Sequence, residues 1–288
     1  FEKLEPQPQS LQRIMPTQSA RVKTFNYTDF EQLIRNIDSS GYASKVAPSA
    51  KAFFSTIKEV GFFETPKGNG IALKSIDISA TYETLSSFQN EVSSFRSVPL
   101  FEFTETTMFN AAFGPLLSLV NPTKFITLDD YLVFSDSKEL LELVISNHLN
   151  KNTLETSYAY QDIQKSLSDE ASFQTYFDAQ SLGTLLNELF STTLKKKDLN
   201  AYKRSAIQLI KDDNIVHVNG VIQKSKSKQS KTQISEEFNL MLPNDILMDP
   251  VFVTNHRTKE KEILTQDIEN NLYLISNKGV VLWKRKLN

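Results

Sequence analysis

The sequence predicts an α+β protein made of duplicated strand–helix–helix–sheet halves with antiparallel sheets, followed by blade-like β-hairpins. Three observations predict it. From Ala20 onward, strand-period and helix-period segments are mixed, and after Lys211 only strand patterns remain. Ala20 to Asn26 followed by the Phe30/Leu33/Ile34 stripe is echoed about 150 residues later by Ala171 to Phe177 and the Leu182/Leu185/Leu186 stripe. The C-terminal segment contains a clear hairpin, Leu272 to Ser276 and Val280 to Leu287 around Gly279. The boundaries that follow are an extended linker over 1–19, halves over about 20–169 and 170–249, and hairpins over 250–288.

Taking the elements in order, Pro6, Pro8 and Pro16 among Gln and Ser give residues 1–19 no period, hence the tether. Ala20 to Asn26 alternates as a strand. Thr28 and Glu31 have capping-box spacing ahead of a helix that Gly41 ends. A second helix is predicted from Pro48 to Val60, with Phe53, Ile57 and Val60 inward, then a loop over Gly61 to Gly70. Strands follow at Gly70 to Ser79 and Leu100 to Thr104. Ala80 to Arg96 fits either a helix or a meander, and Met108 to Leu119 a short helix or a loop. Lys124 to Phe134 reads as a hairpin tipped by Asp129 and Asp130, and Ser135-Asp136-Ser137 opens a helix to Leu149. Helices are predicted at Tyr158 to Leu167, Ser181 to Leu194 and Leu199 to Lys211. Strands are predicted at Ile215 to Lys224, Thr232 to Leu242, Pro250 to His256 and Lys261 to Gln266.

Composition removes several function classes. The chain has 288 residues with 40% hydrophobic, including 20 phenylalanines, which is enough to bury a core and excludes wholesale disorder. A net charge of −2 lacks the basic excess of a dedicated nucleic-acid binder. Only 8 glycines argue against phosphate-cradling loops. Without cysteine there is no disulfide, thiolate zinc site, iron–sulfur cluster or thiol nucleophile. Met108 to Val120 is too short to span a bilayer. The chain opens at Phe1 rather than Met, and any signal or anchor is expected upstream of it.

Candidate chemistry is sparse. The three histidines lie far apart in sequence without a second ligand at metal spacing. His148 ends a helix, where an imidazole complements the dipole, and His217 shares a strand face with Asn219. His256 sits at a hairpin corner and is the histidine to test first. Asp129, Asp130 and Asp136 could converge on a cation, or simply serve as a turn and a helix start. These four residues, His256, Asp129, Asp130 and Asp136, are the candidates for any site. No cofactor motif, serine-hydrolase elbow or calcium loop is present. Lys195 to Lys197 suits a helix end. Lys224, Lys226 and Lys228 protect an edge strand or, with Lys231, bind an acidic polymer.

Two resemblances add to this reading. The hairpin around Asn277 to Gly279 with Trp283 resembles one blade of a pyrroloquinoline-quinone-type β-propeller, without implying the quinone. Ile126 to Leu141, Val253 to Ile263, Gln266-Asp267 and Asn271 to Ile275 resemble a bacterial exported domain-of-unknown-function family, Bacteroidetes type. Its members continue into a propeller-like C-terminal region. The resemblance implies an extracytoplasmic protein, in the periplasm or anchored as a lipoprotein, and carries over no activity or site residue. The chain departs from the full pattern by stopping after one blade's worth of strands.

The resulting expectation is a non-enzymatic cell-envelope binding or scaffold module. Its partner would be a protein or a cell-surface ligand, with no nucleic acid, no cofactor, and membrane contact only through an upstream anchor. The alternative is a ligand-binding or metal-dependent hydrolytic domain with a site assembled from distant residues. A deep polar pocket with convergent titratable side chains favours that alternative.

Overall fold

The computed structural model describes residues 2–42, 45–86, 88–117, 120–190, 199, 201–202, 204–222, 224 and 240–287. It begins with β1 (Gln7–Pro8) and a 3-10 turn (Leu11–Arg13), then β2 (Arg21–Asn26), α1 (Phe30–Ser39) and α2 (Pro48–Phe54). Asp29 rather than Thr28 caps α1, its carboxylate accepting from the Gln32 amide. Next come the hairpin β3 (Ile57–Thr65) and β4 (Gly68–Ser75), then α3 (Ile78–Leu85), β5 (Gln89–Phe95) and β6 (Val98–Phe103). After α4 (Met108–Phe113) the hairpin β7 (Lys124–Leu128) and β8 (Tyr131–Ser135) leads into α5 (Lys138–Leu149), capped by Ser137, and α6 (Tyr158–Gln164). The first unit closes with β9 (Glu170–Ala171), β10 (Phe173–Phe177), α7 (Ala179–Phe190), β11 (Ser205–Asp212) and β12 (Ile215–Ile222).

The chain divides into two compact units, residues 1–228 and 229–288. In the first, ten strands form one antiparallel sheet in the order β12-β11-β10-β2-β3-β4-β8-β7-β6-β5. The duplication is legible in that order. β2 and β10 lie side by side, Val22 opposite Tyr176 and Phe25 opposite Phe173. Outward from this pair run β3-β4 on one side and β11-β12 on the other, each hairpin reached through helical chain after its first strand. The two halves therefore share one sheet.

Helices cover both faces of that sheet. On one face Phe30, Leu33 and Ile37 of α1, Phe53 and Phe54 of α2, and Phe109 and Phe113 of α4 pack on Phe25, Val60, Phe62, Phe125 and Phe134. Phe54 and Phe113 meet edge to face at 4.7 Å, and Phe109 meets Phe134 at 4.9 Å. Each such ring, fully buried, contributes about 1.5–3 kcal/mol. On the opposite face Leu140, Leu141, Val144 and Ile145 of α5 and Tyr160 and Ile163 of α6 pack on Val22, Phe63, Ala72, Ile126 and Val133.

The expected tether is instead part of this second layer. Leu11, Ile14 and Met15 are buried in it, Ser19 is buried too, Leu4 packs in the phenylalanine-rich core, and β1 pairs with β9. Arg204 donates to the carbonyls of Thr17 and Ser19. A proline-rich composition hid a segment held by burial rather than by regular structure.

Two further expectations fail for one reason. Ile57 and Val60 belong to β3 and not to a helix, and the loop expected over 61–70 is mostly the β3–β4 hairpin. Residues 205–212 form β11 and not a helix. Strands covered on both faces carry runs such as Val60, Phe62 and Phe63 without clean alternation, so periodicity misreads them. The strand expected over 232–242 and the lysines 195–197 fall largely or wholly outside the described residues.

In the second unit β13 (Ile246–Thr254), β14 (Lys261–Asp267), β15 (Asn271–Ile275) and β16 (Val281–Lys286) form a four-stranded antiparallel meander. The second half was expected to run to 249, but the division falls after Lys228. The sheet is knotted at Asp267, whose carboxylate accepts from Asn244, from the amide and side chain of Asn271, and from the Tyr273 hydroxyl. Val251, Leu264, Leu274 and Trp283 share one row across its four strands.

Candidate functional site

The residues singled out in the sequence do not converge. Asp129 adopts positive φ (54°) at the β7–β8 turn, and its carboxylate lies 3.1 Å from His148 Nε2. Asp130 pairs with Lys74. Burial works against its charge, yet the hydrogen bond and charge of Lys74 hold Asp130 below the usual carboxylate range. Asp136 is exposed beyond the other end of β8, a five-residue strand about 17 Å long. His256 is exposed in the turn after β13, and His217 lies 3.6 Å from Asp212. No group of three metal-ligating side chains occurs among the described residues. Of the lysine run only Lys224 is described, and it is exposed.

A different set does converge. Four polar side chains occupy consecutive positions in one row across β2, β3, β4 and β8. Asn26 stands opposite Glu59, Glu59 opposite Lys74, and Lys74 opposite Tyr131. The row depends on a β-bulge. In a regular strand Ile57 and Glu59 would share a face, but the register slips between them, Ile57 pairing with Ser75 and Glu59 with Lys74. Ile57 therefore enters the phenylalanine-rich core while Glu59 turns to the opposite face. Asn26, Glu59 and Tyr131 are buried, at 1%, 2% and 5% exposure.

The N-terminal segment roofs this row. Glu59 accepts from the Ser10 amide (2.9 Å), the Ser10 hydroxyl (2.6 Å) and the Leu11 amide (3.2 Å), which caps the 3-10 turn. Burial pushes the Glu59 carboxyl up to about 7, opposed by those hydrogen bonds and by Lys74. Lys74 Nζ lies 4.1 Å from the centre of the Tyr131 ring while pairing with Asp130. Asn26 Nδ2 donates to Gln7 O at 3.0 Å, but its buried Oδ1 finds no donor among the described residues.

Between roof and floor is a partly enclosed cavity of about 650 Å³, lined by Gln7, Ser10, Arg13, Lys58 and Ile76 as well as by the row itself. A second cavity, about 500 Å³, shares Pro8 with it and is lined by Gln12, Tyr160 and Gln164. There the Gln164 carbonyl accepts from the Tyr176 hydroxyl at 3.0 Å, so part of its polarity is already used. The first cavity gathers the polar row together with Lys58 and Arg13, and it is the candidate site. It can bind and orient polar groups. Ser10 and Glu59 both line it, and the carboxylate is held there by the Ser10 hydroxyl and by the Ser10 and Leu11 amides.

Sequence reasoning missed Asn26, Glu59, Lys74 and Tyr131 as a group. Glu59 fell inside an expected helix and Ser10 inside an expected tether. A charged residue in a Val- and Phe-rich strand was the one available signal.

No family model matches the chain, and no curated protein matches it. Among solved structures, crystal forms I, III and IV of TP0453, a Treponema protein, are similar, with TM-scores of 0.43, 0.47 and 0.44. Identity is 11%, 12% and 12%. The matches cover 78%, 78% and 74% of this chain and 82%, 82% and 79% of those chains.

Proposed function

We propose that this protein is a non-enzymatic binding module of the cell envelope that holds a small polar ligand in the cleft above the Asn26–Glu59–Lys74–Tyr131 row. One observation carries the reading. The cleft gathers polar groups from four strands, three of them buried, and the carboxylate among them is spent on holding the N-terminal segment. Such a site supplies recognition without a free general base. The envelope location is supported by the sequence resemblance to exported proteins, and fractionation of cells producing the native protein tests it.

The experiment for binding is a nuclear magnetic resonance titration of the whole chain with a panel of small acids, amines and sugars. Saturable shifts at Asn26, Glu59, Lys74 and Tyr131 with at least one compound class are expected. A panel that moves none of those resonances removes the reading. Turnover of any panel member, lost on changing Glu59 to Gln, replaces it with an enzymatic one.

A further inference from the structure

β12 is one edge of the ten-stranded sheet, and no described strand pairs with its outer side. A strand edge is a row of amides and carbonyls that another chain can extend, so edges are normally blunted by charge, proline or a bulge. β5, the opposite edge, carries Glu91 and a register shift beside it. In the second unit the edge strand β13 carries Asp249, Pro250 and register shifts, and β16 carries Lys284, Arg285 and Lys286. β12 has none of these devices from Ile215 to Ile222, and it pairs with β11 in unbroken register. Ile215, Val216, Val218 and Ile222 are each more than half exposed.

The register of this edge fits a second copy of itself. Asp212 and Ile215 close a two-residue turn as a hydrogen-bonded pair, so Val216, Val218, Gly220 and Ile222 turn their amides and carbonyls away from β11. Another β12 can run antiparallel along that row about a two-fold axis at Val218. Val216 of each copy then stands opposite Gly220 of the other, and the space around Gly220 is open. His217 meets Asn219 rather than its own copy. Asp212 and Asp213 of each copy come level with Lys224 of the other, an opposite-charge pairing made twice by the symmetry.

We propose that two copies of this chain associate through β12, edge to edge and antiparallel, into one continuous sheet. The contact uses the same strand from both copies, so it closes at a dimer and leaves the blunted β5 at each end.

Sedimentation velocity of the full chain up to about 1 mM tests this, and a dimer is expected. Val218→Lys sets two ammonium groups face to face at the axis, and is expected to give a monomer with an unchanged melt. Val92→Lys, on the exposed β5 edge, is expected to leave the dimer intact. The chain has no cysteine, so Val218→Cys under mild oxidation is expected to cross-link to its own copy. Ile215→Cys, about 20 Å from its copy in this register, is expected to stay reduced. Should Val218→Lys unfold, the two cysteine variants decide. A monomer at every concentration overturns the proposal and leaves the edge to a strand of another protein. A dimer that survives Val218→Lys or is lost in Val92→Lys also overturns it, as does a series of growing oligomers or equal cross-linking at Ile215 and Val218.

Discussion

Glu59 and Ser10, 49 residues apart in the chain, are joined by two kinds of hydrogen bond: the carboxylate accepts both the amide and the hydroxyl of Ser10. This clasp ties the N-terminal segment to the middle of a ten-stranded sheet, and it makes Glu59 both a structural carboxylate and part of the cleft's lining.

The clasp has a pH signature. The folded Glu59 carboxyl is raised by burial to about 7 from an ordinary value of 4.5, so the folded state binds more protons than the unfolded state between those limits. The contribution is therefore full below about pH 4.5 and falls as pH rises toward 7, by up to about 3 kcal/mol. Denaturant melts of Glu59→Gln from pH 5 to 8 are expected to lose that downward slope. A variant with the wild-type slope refutes the assignment.

Leu11 follows Ser10 and is fully buried against the α5 side of the sheet. Leu11→Ala is expected to cost about 2–5 kcal/mol, as a core truncation does. A tether residue would change stability by less than about 0.5 kcal/mol. Urea denaturation of the two chains separates the cases.

Gly70 lies opposite Phe63 across β3 and β4, with the Phe63 ring laid over it. A Cβ at Gly70 would stand inside contact distance of the ring carbons Cζ and Cε1, and a buried ring has little room to retreat. Gly70→Ala is expected to destabilise by about 1–3 kcal/mol despite adding one methyl. Pairing it with Phe63→Leu should recover part of that loss in the same melt.

Asp267 holds the second unit together. Burial opposes its charge, but hydrogen bonds from Asn271, Asn244 and Tyr273 keep its carboxyl below the usual range. The stability it lends is thus present above the ordinary carboxylate value and fades as pH falls through the folded one. Asp267→Asn presents an amide donor to groups that already donate. The single tryptophan, Trp283, reports on this unit. Its fluorescence transition is expected to move to lower denaturant in the variant while Phe- and Tyr-rich unit 1 keeps its far-ultraviolet melt.

Much of the architecture was legible without coordinates. The α+β class, the β7–β8 turn at Asp129, the Ser137-capped helix and the antiparallel C-terminal strands all follow from local signals: alternation, capping residues and glycine at a turn. Even the repeat could be read, because two strand–helix starts leave similar spacings at Ala20 and Ala171. These are properties of neighbouring residues, and a sequence states them directly.

Tertiary structure decided the rest. Whether Ile57 continues a helix or opens a strand depends on β2 and β4 offering backbone partners on either side, which local spacing does not encode. Whether residues 2–19 dangle or pack depends on a sheet face that other segments build. The cleft combines both: a bulge at Lys58 turns Glu59 to the face where Ser10 arrives, and Asn26, Lys74 and Tyr131 line up only because four strands pair in one register. Register is set by long-range hydrogen bonds and burial, so a site made of register stays invisible until the chain has folded.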